Sequence, residues 1–236
     1  MTPEMNSALA GIQKSGIRAF TQLARSIDGC MFLTLGEPDL NTPEAVKDAA
    51  KRSLDDNLTH YPENNGQPYL REAISAFERE RNGLSYSPDE IIVTVGATEA
   101  LFASLFSIIN PGDEVVIPTP AFGLYEAIVK LCRGVCVNID TSKTRFQITA
   151  EQLRAALSPR TKAIILTSPN NPTGCVYTAK TLAAVHEAVK DLPLFVVCDE
   201  VYRQIIYTDS FSSFSGFADM RDRLVVVQSF SKPYAM

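Results

Sequence analysis

KAIILTSPNNPTGCVYTAKTLAAVHEAVKDLPLFVVCDEVY, residues 162–202, holds two short apolar runs on either side of a helical pattern. KAIILT and LFVVCD are nearly continuous apolar runs, which suits strands covered on both faces. Between them, TAKTLAAVHEAVK spaces its apolar residues for one helix face and opens on Thr178, a residue that caps helices. Strand, helix and strand in succession predict a pair of parallel strands joined by a crossover helix.

The same alternation extends in both directions. Further strands are expected from IIVTV at 91–95, EVVIP at 114–118, VCVNI at 135–139 and LVVVQS at 224–229. Helices are expected in PEAVKDAAKRSLDD from Pro43, PYLREAISAFERER from Pro68, and residues 98–109 and 122–131. The predicted class is α/β, a three-layer sandwich around a mostly parallel sheet. Residues 1–40 read as a separate N-terminal segment, with one or two short helices and a strand-like stretch ending in GEPD. Residues 41–236 read as the large domain.

Composition narrows the function classes. The 236 residues are 45% hydrophobic and 21% charged, enough to bury a sizeable core, and the net charge is -5 without a basic run. Nucleic-acid binding is therefore disfavoured, because it needs a positive surface. No stretch approaches the roughly 20 apolar residues of a membrane span, and no signal-like leader opens the chain, so a cytoplasmic protein is expected. The five cysteines form no CxxC and are read as reduced residues of the interior. His60 and His186 lie at no metal-ligand spacing from a Cys or carboxylate, and no metal is expected.

In open parallel sheets, ligands bind beyond the carboxyl ends of the strands. GATEA, SPNNPTG, DEVY and SFSK all fall at such ends. Together they offer a phosphate cradle, an amide, a carboxylate, a phenol and an amine, the inventory a phosphorylated aromatic cofactor requires. Asp199 closes a buried strand, where a carboxylate needs a cation or donor; it serves equally well as a helix N-cap. Tyr202, three residues on, shares its face if a helical turn follows. Lys232 reads either as a solvated loop lysine or as an amine that forms a Schiff base, a role favoured by a lowered pKa. Ser229 offers a hydroxyl for a phosphate oxygen, and the residues Gly96, Ala97 and Thr98 open a helix whose amides suit an anion. Asn171 has a capable amide within a turn, and Phe122 reads as a stacking ring or as core.

GEPD, YPENNGQPYLREAI, VTVGATEAL, PGDEVVIPTPAFGLY, SPNNPTG, CDEVY and SFSKPYAM, in this order, closely resemble the pattern of class I and II aminotransferases, the fold-type I pyridoxal-phosphate enzymes. The resemblance implies a transaminase that moves an amino group between an amino acid and a 2-oxo acid by a ping-pong mechanism with pyridoxal 5'-phosphate. It makes Lys232 the cofactor-bearing lysine and general base, Asp199 the partner of the pyridine nitrogen, and Asn171 and Tyr202 contacts of the phenolic oxygen. Ala97, Thr98 and Ser229 would hold the phosphate, and Tyr61 would reach the phosphate of the neighbouring subunit in a homodimer. Gly36 would line the substrate carboxylate pocket, and Phe122 would stack on the ring where many relatives carry Trp or Tyr.

The family pattern also runs on for about another 150 residues, with two arginines, the end of the sheet and most of a small domain. The 236-residue chain is accordingly expected to turn over weakly or not at all by itself. Another reaction of the same cofactor, as in a C-S lyase or decarboxylase, and a catalytically inert fragment are the alternatives.

Overall fold

The structure, a computed structural model, describes residues 3–12, 16–208 and 210–236. Five strands form its sheet: β1 (Glu114–Thr119), β2 (Val135–Asp140), β3 (Thr161–Thr167), β4 (Phe195–Asp199) and β5 (Leu224–Val227). Their spatial order is β2-β1-β3-β4-β5, and every neighbouring pair is parallel.

Alternate residues of these apolar strands serve two different cores, which is why the runs are continuous. On one face Val116, Ile164, Leu166, Val196 and Cys198 pack with Leu153 of α6 (Ala150–Ala156) and with Leu182, Val185 and Val189 of α7 (Ala179–Val189). On the other face Val115, Ile117, Ile165 and Val197 meet Leu101 and Leu105 of α4 (Gly96–Ile108) and Tyr125 and Ile128 of α5 (Leu124–Leu131). Each fully buried side chain of this size contributes about 1.5–3 kcal/mol. The result is the three-layer α/β sandwich expected.

α2 (Glu44–Asp55) and α3 (Pro68–Asn82) form where their Pro-led patterns predict. Pro68 stands in the first turn of α3, and Gly83 ends the helix in the left-handed region at φ 68. α1 (Gly16–Arg25) is the α-helix of the N-terminal segment, and it leaves Ile17, Phe20 and Leu23 exposed.

Four local differences from the expected elements need correction. Residues 91–95 form no strand: Val93 donates its backbone N–H to the Asn65 carbonyl, but no ladder forms beside it, and Val95 is 88% exposed. A strand exists only through its neighbour, and among the described residues no strand lies alongside. The strand-like stretch before GEPD stays irregular, with Met31 and Leu33 open to solvent. Helix α6 was not among the expected elements, although Thr149 and Gln152 make a reciprocal capping box that marks its start. The helix expected over 122–131 begins two residues late, because Gly123 takes the cap position and leaves Phe122 in the loop. Among the described residues no helix is long and apolar enough to cross a membrane.

Candidate active site

The strand order reverses at β1 and β3: β2 lies on one side of this pair, and β4 and β5 on the other. Such a switch point opens a crevice beyond the carboxyl ends, because the loops leaving the two strands diverge. The loops after Thr119 and Thr167 leave at this point, Asp199 ends the next strand, and Lys232 follows the strand after that.

Asp199 is a buried charged group, at 4% exposure. Its Oδ2 accepts a hydrogen bond from the Tyr125 hydroxyl at 2.6 Å, and its Oδ1 accepts from the backbone N–H of Val201 at 3.2 Å. Thr167 Oγ1 in turn donates to the Tyr125 oxygen at 2.9 Å. Burial pushes the Asp199 carboxyl above the usual range, while the Tyr125 and Val201 donors pull it back. The Tyr125 phenol is driven far upward by burial and then by the Asp199 charge, so it remains a donor at neutral pH. The N-cap alternative for Asp199 does not arise, since the residues after it form turns rather than a helix.

Tyr202 is half-buried. Burial and the Asp199 charge raise its phenol, and the nearby Asn171 side chain partly offsets them. Lys232 Nζ lies 5.9 Å from the centre of the Tyr202 ring and donates to the Gly36 carbonyl. Gly36 itself stands against this phenol: a side-chain carbon there would sit 3.6 Å from the Tyr202 hydroxyl. Asp199, Asn171, Gly36 and Lys232 thus lie around Tyr202.

The neighbouring asparagine explains why Asn171 is the available one. Asn170 is buried and spends its side chain on the turn, accepting from Thr173 N–H and Oγ1 at 3.1 and 2.9 Å and donating to the Pro120 carbonyl at 3.3 Å. Phe122 stands 38% exposed, edge-on to Tyr125 with ring centres 5.9 Å apart. Ala97 and Thr98 lie in the first turn of α4, where backbone N–H groups have no intrahelical acceptor. Gly96, at φ 73, has no heavy atom within 4 Å of the place a side chain would take, so the backbone there is open to close approach. Ser229 accepts from the Ser231 N–H at 3.0 Å within the loop that leads to Lys232.

Tyr61 is not brought into this group. It is fully exposed, on a loop that Arg71 pins through Glu63 at 2.8 Å and the Gly66 carbonyl at 3.1 Å.

Tyr125 and Thr167 were missed by the sequence reading. Tyr125 falls three places after Phe122, one helical turn on, and Thr167 is the last residue of β3, beside Asp199 across the ladder. Loss of the Tyr125 hydroxyl should show in stability: Tyr125→Phe removes the main donor to a buried carboxylate and is expected to cost about 1–3 kcal/mol. It should also raise Asp199 further. Urea denaturation at neutral pH checks this, and an unchanged midpoint and slope would show that the contact carries no weight.

The fold and this crevice define an α/β protein whose sheet edge is equipped with an amine, a phenol, an amide and a buried carboxylate. A family model for aminotransferase class I and II matches residues 28–236. The chain is 42% identical over 232 residues to a Methanocaldococcus jannaschii protein described as "Probable aspartate aminotransferase", covering 98% of this chain and 60% of that one. It is 40% identical over 216 residues to the aspartate/prephenate aminotransferase of Thermus thermophilus, covering 91% and 56%. The crystal structure of an aspartate aminotransferase from Rhizobium meliloti superposes with a TM-score of 0.93 at 34% identity, covering 100% of this chain and 61% of that one. The chain belongs to the aminotransferase class I and II family, which is known to use pyridoxal phosphate. It spans about 60% of the length of these relatives.

Proposed function

We propose that this chain carries the cofactor-holding part of a transaminase that moves an amino group between an amino acid and a 2-oxo acid. The observation that carries the reading is the chemistry gathered around Tyr202. A buried carboxylate, held by a phenol and a backbone N–H and paired with no cation among the described residues, stands at the same sheet edge as a lysine amine. Such a carboxylate calls for a cationic partner, and a protonated pyridine nitrogen is one.

When bound, pyridoxal 5'-phosphate supplies an aldehyde that captures amines and a ring that withdraws electrons from the substrate's alpha carbon. Lys232 would hold it covalently and, as a free amine, would move the proton at that carbon. Asp199 would keep the ring nitrogen protonated, with Tyr125 fixing the carboxylate's direction. Tyr202 and Asn171 donate to the phenolic oxygen. Ala97, Thr98 and Ser229 take the phosphate, Phe122 stacks on the ring, and Gly36 lines the place of the substrate carboxylate. The transfer runs as two half-reactions, ping-pong.

The same reading takes the protein as a cytoplasmic homodimer in which Tyr61 reaches the phosphate site of the second copy. Its full exposure on a pinned loop supports that contact. Residues 1–40 belong, in this reading, to a small domain, and residues 41–236 to the large one.

To test it, the purified chain is incubated with pyridoxal 5'-phosphate, a panel of L-amino acids and a 2-oxo acid. Slow formation of the donor's oxo acid and the acceptor's amino acid in equal amounts, well below the rate of an intact family member, is the expected result. Ammonia and pyruvate from cysteine-type donors would replace transfer with elimination, and absence of any product would remove the claim of turnover for this chain.

A further inference from the structure

Asp199 ends β4, but Tyr202 sits on irregular backbone just beyond it. After β4 the chain makes a series of turns, held by Glu200 N–H to the Val227 carbonyl at 2.9 Å, Arg203 N–H to the Glu200 carbonyl at 2.9 Å and Ile205 N–H to the Tyr202 carbonyl at 2.8 Å. Few backbone bonds fix a segment weakly, yet the chemistry proposed above needs the Tyr202 phenol in register with the strand-held Asp199. What lies behind them supplies the missing constraint.

Glu200 and Arg203 directly follow the two site residues, and they face the opposite way. Asp199 shares the face of Val197, toward α5, whereas Glu200 lies with Cys198, Leu166 and Phe214 on the other face. Arg203 Nη1 lies 3.1 Å from Glu200 Oε2 and 3.5 Å from Oε2 of Glu78, a residue of α3. The three side chains are 9%, 3% and 7% exposed. Asn82, one turn along α3, donates to the same Glu78 oxygen at 3.0 Å, and Ser213 donates to the other oxygen of Glu200. The guanidinium also lies over the Phe211 ring, 5.1 Å from its centre. Two carboxylates facing one guanidinium leave a buried excess of negative charge, and burial pushes Glu200 up to about 7 against the pull of Ser213 and Arg203. Such a cluster is a costly way to gain stability, because apolar residues of similar volume often do as well.

We propose that the Glu78–Arg203–Glu200 cluster is a positioning device: it ties the turns that carry Tyr202, just past Asp199 at the end of β4, to helix α3, and so sets where the phenol meets the cofactor. Arg203 is the centre of the device, since its guanidinium meets both Glu200 of the loop and Glu78 of the helix. The inference rests on the cofactor reading given above.

Two variants separate positioning from plain stability. Arg203→Met strands two buried carboxylates and lowers the thermal midpoint. Glu78→Leu keeps the shape, cuts the tie to α3 and leaves a neutral Glu200–Arg203 pair, so the thermal midpoint holds or rises. Cofactor affinity is read from the visible absorbance as pyridoxal 5'-phosphate is titrated into each folded chain. Both variants are expected to weaken it by about tenfold, although their stabilities move in different directions. Adding Tyr202→Phe to Glu78→Leu should cost less than Tyr202→Phe costs the parent, because the phenol is already out of place.

Wild-type affinity in Glu78→Leu, or full additivity with Tyr202→Phe, overturns the proposal even if Arg203→Met fails to fold. A parent chain with no visible band that depends on Lys232 is a separate outcome: it overturns the cofactor reading, and the positioning claim with it.

Discussion

Replacing Lys232 with alanine is expected to abolish covalent capture of pyridoxal 5'-phosphate while leaving the fold almost untouched. The amine makes one hydrogen bond, to the Gly36 carbonyl, and stands beside the Tyr202 ring, so its loss opens no core cavity. Surface-type substitutions of this kind change stability by about 0.5 kcal/mol or less. Chemically the loss is total for the covalent link, since no other group named at this edge is an amine. Turnover should fall by at least about 10²–10⁴-fold, the range that a positioned acid–base group contributes by itself. Borohydride reduction of the parent chain with the cofactor, followed by digestion and mass spectrometry, should place the adduct on the peptide containing residue 232. The same treatment of Lys232→Ala should give no adduct. Label on a different lysine, or label that survives the substitution, would end the case for this residue.

Most of the sheet was legible because its strands answer a simple physical demand. Runs such as KAIILT and LFVVCD supply apolar residues to two cores at once, and no other element of that length needs to be apolar on both faces. IIVTV at 91–95 has the same composition and makes no strand, because strand formation depends on a neighbour that its own residues do not encode. Asp199, Lys232, Tyr202 and Asn171 stood out as polar residues at the ends of apolar runs. Their supports did not. Tyr125 looks like a core aromatic of α5, and only the packing of α5 on the sheet turns its hydroxyl toward Asp199. Glu78 lies on α3 among other charged residues, and its burial against Arg203 follows from how α3 meets the turns after β4. The residues that stood out lie at strand ends, a local pattern, whereas their supports come from tertiary packing, across 74 residues for Tyr125 and Asp199 and more than a hundred for Glu78 and Arg203.

Asp199→Ala is expected to damage turnover far more than cofactor retention. The carboxylate's task in the proposed chemistry is to hold a proton on the ring nitrogen while charge develops at the substrate carbon, so its effect is felt in the transition state. Removal of a group that stabilises developing charge costs about 10²–10³-fold in kcat. The cofactor keeps its covalent link to Lys232 and its phosphate contacts, so affinity should fall by about tenfold or less. Stability moves by a different rule. Burial raises the Asp199 pKa above its unfolded value, so the folded chain binds the proton more tightly. Its contribution to stability is therefore complete below the ordinary carboxylate range and is lost as pH rises through the folded value. At neutral pH the charge is a burden on the cofactor-free fold. Asp199→Asn keeps an oxygen that can accept from Tyr125 and carries no charge, so it should be at least as stable as the parent at pH 7 while sharing the kinetic defect of Asp199→Ala. Steady-state kinetics, cofactor titration and urea denaturation of both variants check the three quantities separately. If affinity and turnover fell together by the same factor, Asp199 would be a structural carboxylate. The charge tolerated at the end of β4 would then need some explanation other than a pyridine nitrogen facing it.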